Sequence, residues 1–390
     1  MTKIRLPDAN GTVTDYTLRG TPAAPPSSEA LRFNRRAIAA VHVVPQPLAA
    51  VDPWLETALD WDRTMAYRHY LWDLGLGVAE AMDTAQRGMG LDWPSALELI
   101  KRSVAEARTR SDAQLFSGVG TDHLSPADAS GLDDVVKAYM DQAEAVEAAG
   151  SRIIMMASRA LAANATSPDD YATVYDRVLG SVREPVILHW LGEMFDPALE
   201  GYWGRGDHWQ AMEVCLDVIA AHADKVDGIK ISLLDKDKEV AMRARLPEGV
   251  RMYTGDDFNY PELIAGDGET HSDALLGIFD AIAPVAAAAL QSLAAGDREE
   301  FDRLLAPTVP LSRHIFGAPT RFYKTGVVFL AWLNGHQPAF SMVGGQESAR
   351  SAIHFAELFR LADQAGLLRE PDAAVRRFSA WLDVHAGVDP

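Results

Sequence analysis

The chain has 390 residues, with 36 basic against 55 acidic side chains and a formal net charge of −19. That balance disfavours nucleic acid and anionic membrane as partners, since both require a basic footprint. Hydrophobic residues at 48% and a single cysteine, Cys215, describe a globular chain with a substantial core, no internal disulfide and no cysteine-cluster metal site.

The first residues, MTKIRLPDANG, contain no apolar signal core. No run of about 18 apolar residues occurs anywhere, so a cytoplasmic protein without a membrane span is expected. Residues 1–32 read as a hairpin and linker. Ile4–Leu6 and Thr12–Leu18 flank the turn signal Asn10-Gly11, and TPAAPPSSEA follows as a tether.

From residue 33 to 296 short apolar runs alternate with helical patterns. The expected strands are Ala37–Val44, Val78–Met82, Gln114–Val119, Arg152–Ala157, Pro185–Trp190, Val226–Leu234, Val250–Thr254 and Ala274–Phe279. Between and after them, helices are expected at Asp62–Leu74, Trp93–Arg108, Leu132–Ala149, Ser167–Leu179, His208–Ala223, Glu239–Leu246 and Pro284–Ala295. Eight βα units over about 250 residues is the scale of a (β/α)₈ barrel, a TIM barrel of the α/β class. A doubly wound open sheet is the alternative, but no Gly-rich dinucleotide or P-loop fingerprint follows any strand. Residues 297–390 read as a C-terminal helical extension, with helices at 297–318, 320–335 and 347–388.

In a barrel of this kind chemistry sits at the C-terminal strand ends. One expected strand, VDGIKISLL, carries a lone lysine, Lys230, in an apolar run. A buried lysine must pair its charge or lose its proton, and a neutral, desolvated amine is the nucleophile that forms Schiff bases. The other reading is a strand-end lysine reaching solvent. The remaining strand ends supply Asp83, Thr84, Arg159, His189, Asp256 and Asp257. Arg159 offers a planar fork for carboxylate or phosphate, or a loop salt bridge. Asp256 and Asp257 can orient hydroxyls, pair with Lys230 or cap the following helix.

The order VDGIKIS, then a helix, then MYTGDD, then GDG, then a strand before AIAP resembles the dihydrodipicolinate synthase and N-acetylneuraminate lyase family. The likeness runs over roughly residues 33 to 310 and marks a divergent branch. It implies a (β/α)₈ barrel with helical extension, a homo-oligomer, and a Schiff-base lyase acting on a 2-keto acid or keto sugar acid. It places Lys230 at the Schiff-base position and His189 where the family has its acid/base tyrosine. Asp83 and Thr84 fall on two adjacent hydroxyl residues that hold the substrate carboxylate, and Gly255-Asp256-Asp257 falls on the turn after strand seven. The departures are specific. MDTAQRG replaces the family's signature after strand two, and the tyrosine after strand four is missing. Gly192, Glu193 and Met194 stand where the synthases carry an arginine for their second substrate. A synthase making dihydrodipicolinate is therefore not expected.

No cofactor is expected from these patterns. The alternative within enzymes is a divalent metal for an aldolase or hydrolase, drawn from the scattered set His42, Glu80, His189, Glu193, Asp207, His208, Glu269 and His271, with His189, Glu193 and His271 as its nucleus. The alternative outside enzymes is a sugar-acid-binding protein without turnover. The aromatic segment Trp190–Trp209 reads either as a lid over a polyhydroxylated substrate or as packing of a long loop.

Overall fold

Asp8 makes the first element possible. Its Oδ1 accepts from the backbone N–H groups of Asn10 and Thr12, at 2.8 and 2.9 Å, and Gly11 supplies the positive φ of the turn. The strands on either side, β1 (Lys3–Pro7) and β2 (Val13–Thr17), pair antiparallel as Lys3↔Thr17 to Pro7↔Val13. The structure, a computed structural model, describes residues 2–23 and 32–389. Most of the expected tether, residues 24–31, lies outside them.

The chain divides into two compact units. One comprises Arg35–Val41 and Leu76–Gly277; the other comprises Met1–Asn34, His42–Gly75 and Ile278–Pro390. The first unit contains the barrel. Its strands are β3 (Ala37–Ala40), β4 (Gly77–Glu80), β5 (Leu115–Val119), β6 (Arg152–Met156), β7 (Val186–Leu191), β8 (Val226–Ser232), β9 (Arg251–Thr254) and β10 (Asp273–Leu276). They close in the order β10-β3-β4-β5-β6-β7-β8-β9, every pair parallel. The expected (β/α)₈ barrel is the observed fold.

Side chains alternate along each strand, so one set from every strand fills the barrel. Ile38, Ala40, Ala79, Phe116, Ile154, Ile187, Tyr253 and Leu275 form that core. The N-terminal strand ends are closed by charge. Asp227 accepts from Arg36 (2.8 Å), Arg152 (3.1 Å) and the Tyr253 hydroxyl (2.6 Å), while both guanidinium groups stack on Phe116. A bulge supplies Asp227, because Val226 pairs with Val186 and Gly228 with Ile187. Gly228 is required there, since a Cβ would come within 2.6 Å of the Tyr253 ring. A plugged N-terminal end leaves the C-terminal end for chemistry.

In the second unit the expected long C-terminal helices are divided. Arg298–Leu305 and Thr308–Ile315 replace the single helix expected at 297–318, because Pro307 cannot continue the hydrogen-bond ladder. Ala352–Gln364 and Pro371–Ala386 replace the last one, separated by Gly366 at φ +68 and by Pro371. The first barrel strand also stops short of Val44. His42 donates its N–H to the Asp280 carboxylate (2.8 Å), so it makes no ladder bond. Among the described residues no helix is long and apolar enough to cross a membrane.

Candidate active site

Lys230 sits in the middle of β8, and the ladder fixes what surrounds it. Its register partner on β7 is His189 and its partner on β9 is Tyr253. Register partners in parallel strands project to the same side. Tyr253 and Ile187 belong to the barrel core, so Lys230 and His189 both point inward, one layer nearer the C-terminal end than Ile187. Lys230 is 5% exposed and His189 2%. Among the described residues nothing hydrogen-bonds to the Lys230 ammonium. Burial lowers its pKa from the ordinary 10.5, and the carboxylates of Asp83 and Asp257 oppose that shift without reversing it. His189 is held well below 6.5 by burial and then by Lys230, against the field of Asp83. It is a neutral imidazole at physiological pH.

Ser232 is the site residue that motif reading misses. It lies two residues beyond Lys230, on the same face of β8, and its Oγ is 3.2 Å from His189 Nε2. The period of two along the strand was the available signal. With Nε2 engaged, His189 Nδ1 is left buried without a hydrogen-bond partner. Gly255, which follows β9, packs against this pair. Its N–H donates to Ile231 O (2.9 Å), and a Cβ there would lie 2.3 Å from Ser232 Oγ and 2.8 Å from Lys230 Cε.

Asp83 and Thr84 occupy a single 3-10 turn, Asp83–Ala85, that leaves β4 through Ala81 at φ +52. Arg87 secures this turn. Its Nη1 donates to the carbonyls of Ala81 (3.3 Å) and Gly118 (3.1 Å), Nη2 donates to Gln142 (2.7 Å), and it pairs with Asp122 through Nε and Nη2. Thr84 is buried, whereas Asp83 faces an open cleft. Asp83, His189 and Arg159 line that cleft together with Arg87, Asp122 and Asp196. Lys230 stands beside it on the strand next to His189.

Arg159 begins the short helix Arg159–Asn164 after β6, where the Ser158 hydroxyl caps Leu161 N–H (2.9 Å). Its Nε donates to Asp196 at 2.5 Å, and its terminal nitrogens have no hydrogen-bond partner among the described residues. Gly88, at φ +66, leaves room for them, since a Cβ there would lie 2.8 Å from Nη1. The two readings of Arg159 thus coexist: a salt bridge aims a half-open fork into the cleft. Asp256 and Asp257 divide their roles. Asp256 accepts from the N–H groups of Phe258 (2.8 Å) and Asn259 (3.0 Å) and from the Asn259 amide (2.9 Å), which commits it to the turn. Asp257 is the one whose charge reaches Lys230.

The metal alternative does not assemble. Among the described residues no three His, Cys, Asp or Glu side chains converge as ligands. His271 precedes β10 and so belongs to the N-terminal end, away from His189 in mid-barrel. Glu193 instead meets His208 at 3.1 Å, and Asp207 caps the helix His208–Ala221. The aromatic segment is packing rather than lid. Trp190, Phe195, Tyr202 and Trp203 are buried, none of them lines the cleft, and only Trp209 is exposed.

The closed eight-stranded parallel barrel with its flanking helices is the fold of the dihydrodipicolinate synthases. The pyruvate complex of YagE from E. coli K12, a prophage protein belonging to the dihydrodipicolinic acid synthase family, is similar at 14% identity and TM-score 0.65, over 86% of this chain and 100% of that one. The dihydrodipicolinate synthases of Acinetobacter baumannii (14%, TM-score 0.62, 85% and 99%) and Aquifex aeolicus (12%, TM-score 0.63, 86% and 99%) are similar in the same way. At these identities the likeness shows the fold. No curated protein matches this sequence. The chain belongs to the family described as protein of unknown function (DUF993), which matches residues 4–388.

Proposed function

We propose that the protein is a class I lyase, an aldolase or dehydratase, whose Lys230 forms a Schiff base with a small keto compound. The resemblance points to 2-keto acids and keto sugar acids as the substrate family. One observation carries this reading: a buried lysine amine without a hydrogen-bond partner stands in register with a neutral histidine whose Nδ1 is unpartnered. Burial favours the neutral amine, which is the nucleophilic form.

The neutral Nζ gives its lone pair to the carbonyl carbon, and the π pair moves to oxygen, which takes up the proton lost from nitrogen. The carbinolamine hydroxyl is protonated and leaves as water while nitrogen forms the C=N bond. In a retro-aldol reaction the β-hydroxyl gives its proton to a base, the bond between the α and β carbons breaks, and its pair moves into the iminium to form an enamine. In a dehydration a base removes the α-proton first, and the β-hydroxyl leaves as water. Hydrolysis returns the lysine, after protonation of the enamine in the retro-aldol reaction and directly from the unsaturated iminium in the dehydration. In this reading His189 moves these protons, and the contact between its Nε2 and Ser232 Oγ (3.2 Å), which leaves Nδ1 open, supports that role. Asp83 and Asp257 stabilise the iminium cation through the field that already acts on Lys230.

The test is reduction with borohydride in the presence of a panel of 2-keto acids and keto sugars, followed by peptide mass spectrometry. The expected result is a mass increase on the peptide carrying Lys230. No adduct on that residue, from any compound shown independently to bind, would end the proposal.

A further inference from the structure

The ladder also fixes what a group attached to Lys230 meets next. His189 is flanked in register by Lys230 on β8 and by Met156 on β6. Two residues further along β7, on the same face, comes Leu191, the register partner of Ser232. His189, Met156 and Leu191 all line the cleft, and Leu124, Pro126 and Leu199 line it as well. Two glycines keep the Met156 thioether in place. A Cβ on Gly118 would lie 3.1 Å from its Sδ, and one on Gly120 would lie 3.1 Å from its Cε. The cleft surface nearest His189 is thus a thioether and an aliphatic side chain.

Polar groups of the cleft outside the strands are matched to one another. Arg87 directs its donors at Asp122, Ala81 O, Gly118 O and Gln142, and Asp122 also accepts from the Gln142 amide. Asp196 accepts from Arg159 and from the Ala198 N–H. The Thr121 and Ser158 hydroxyls bond each other at 2.6 Å. The open nitrogens of Arg159 suit one acid end of a ligand, not a row of hydroxyls. A polyol chain laid along Met156 and Leu191 would lose its bonds to water without a matching set in return. An apolar group at the same place gains by leaving water, and a thioether adds attraction for an aromatic ring.

We infer that the cleft takes keto compounds whose tail is apolar, an aryl or branched alkyl group, and disfavours those with a polyol tail. Met156 and Leu191 are the residues that set this preference. The inference rests on the Schiff-base reading and narrows its substrate class from keto acids and keto sugar acids to keto acids with an apolar substituent.

The test compares 2-oxo-4-phenylbutanoate with 2-keto-3-deoxygluconate at equal concentration. Both are 2-keto acids with a methylene next to the carbonyl, and they differ in an apolar or a hydroxylated tail. Reductive labelling of Lys230 is measured by mass spectrometry and normalised to the exposed Lys137, which removes differences in carbonyl reactivity. The phenyl compound is expected to label Lys230 about ten-fold faster or more, equivalent to about 1.4 kcal/mol of discrimination. Leu191→Asn, close in size but polar, should cut that ratio by about three-fold or more, chiefly by slowing the phenyl compound. A ratio of one or less in the unmodified protein overturns the inference, as does a ratio unmoved by Leu191→Asn in a variant with native circular dichroism. If Leu191→Asn does not fold, the unmodified protein decides alone. If neither compound labels Lys230, the Schiff-base reading has failed instead. Dissociation constants of both compounds, from saturation-transfer NMR on the unmodified protein, then decide the role of the cleft. Tighter binding of the phenyl compound supports it, and equal or tighter binding of the polyol overturns it.

Discussion

His189 and Lys230 are ladder partners on β7 and β8, so two basic side chains emerge side by side into the barrel and Lys230 disfavours the proton on His189. Adjacent strands lie about 4.8 Å apart, within which like charges interact strongly. The consequence is a pH dependence with a defined sign. Lys230 must be neutral to attack a carbonyl, and its pKa is lowered from 10.5, so the rate of imine trapping should rise with pH and level off below 10.5. His189 is already neutral well below 6.5, so it should add no acid limb near that pH. Stopped trapping from pH 5 to 11 measures the first, and histidine NMR titration the second. A rate that climbs only above 10.5, or a His189 inflection near 6.5, contradicts this account.

Lys230→Met separates function from stability. Methionine matches the lysine stem and removes a desolvated amine. The folded pKa of Lys230 lies below its unfolded value, so the folded form binds fewer protons between the two. The penalty is full below the folded pKa and disappears above 10.5. The variant should therefore lose all trapping at position 230 while its Tm at pH 7 rises by roughly 2 °C or more. Calorimetry at pH 7 and 10.5 checks it, and the gain should shrink at the higher pH. A variant less stable at pH 7 argues that the lysine is structurally paired.

Gly255 is where backbone geometry and chemistry meet. An added Cβ would fall 2.5 Å from Ile231 O and 2.8 Å from Lys230 Cε, closer than real contacts allow. Gly255→Ala should displace Lys230 and Ser232 and lower trapping by at least about ten-fold, with a stability loss of roughly 1 to 3 kcal/mol for the overpacking. Trapping rate and urea unfolding measure the two effects separately. Normal trapping in the alanine variant would show that the turn yields without moving the lysine.

The barrel was legible because its signals are local and repeated: apolar runs of strand length, helical spacing between them, and turn residues at the junctions. Lys230 stood out for the same reason, as one charge in an apolar strand. The partners of those residues were less legible, because partnership is set by register and not by sequence distance. His189 and Ser232 are 43 residues apart and meet only because β7 and β8 pair with a bulge at Asp227. Arg87 lay in plain view within MDTAQRG, yet its acceptors at Ala81, Gly118, Asp122 and Gln142 come from four segments. The metal set failed for the mirror reason. His271 and His189 both lie near strands in the sequence, but at different levels of the barrel, which no local pattern reports. The aromatic loop was misleading because buried tyrosine and tryptophan have the same composition as a lid.

Glu239 offers a test of the scaffold behind the turn after β9. It lies on the helix Lys236–Arg243, fully buried, with Oε1 accepting from Ser272 Oγ at 2.7 Å and Oε2 without a partner. Burial pushes its pKa up from 4.5 to about 8, with the hydrogen bond from Ser272 opposing and the charge of Asp256 adding. The folded form thus keeps a proton that the unfolded chain releases above 4.5. Stability from this group is full below 4.5, falls as pH rises toward 8, and is flat beyond, a loss on the order of 4 to 5 kcal/mol. Glu239→Gln keeps the shape and the acceptor for Ser272 and cannot ionise. The difference in unfolding free energy between variant and unmodified protein should be near zero at pH 4.5, grow in favour of glutamine through pH 6 and 7, and level off above 8. Urea titrations at five pH values measure it. A difference that is constant with pH would mean that Glu239 ionises normally, and that a cation near Ser272 supports its charge.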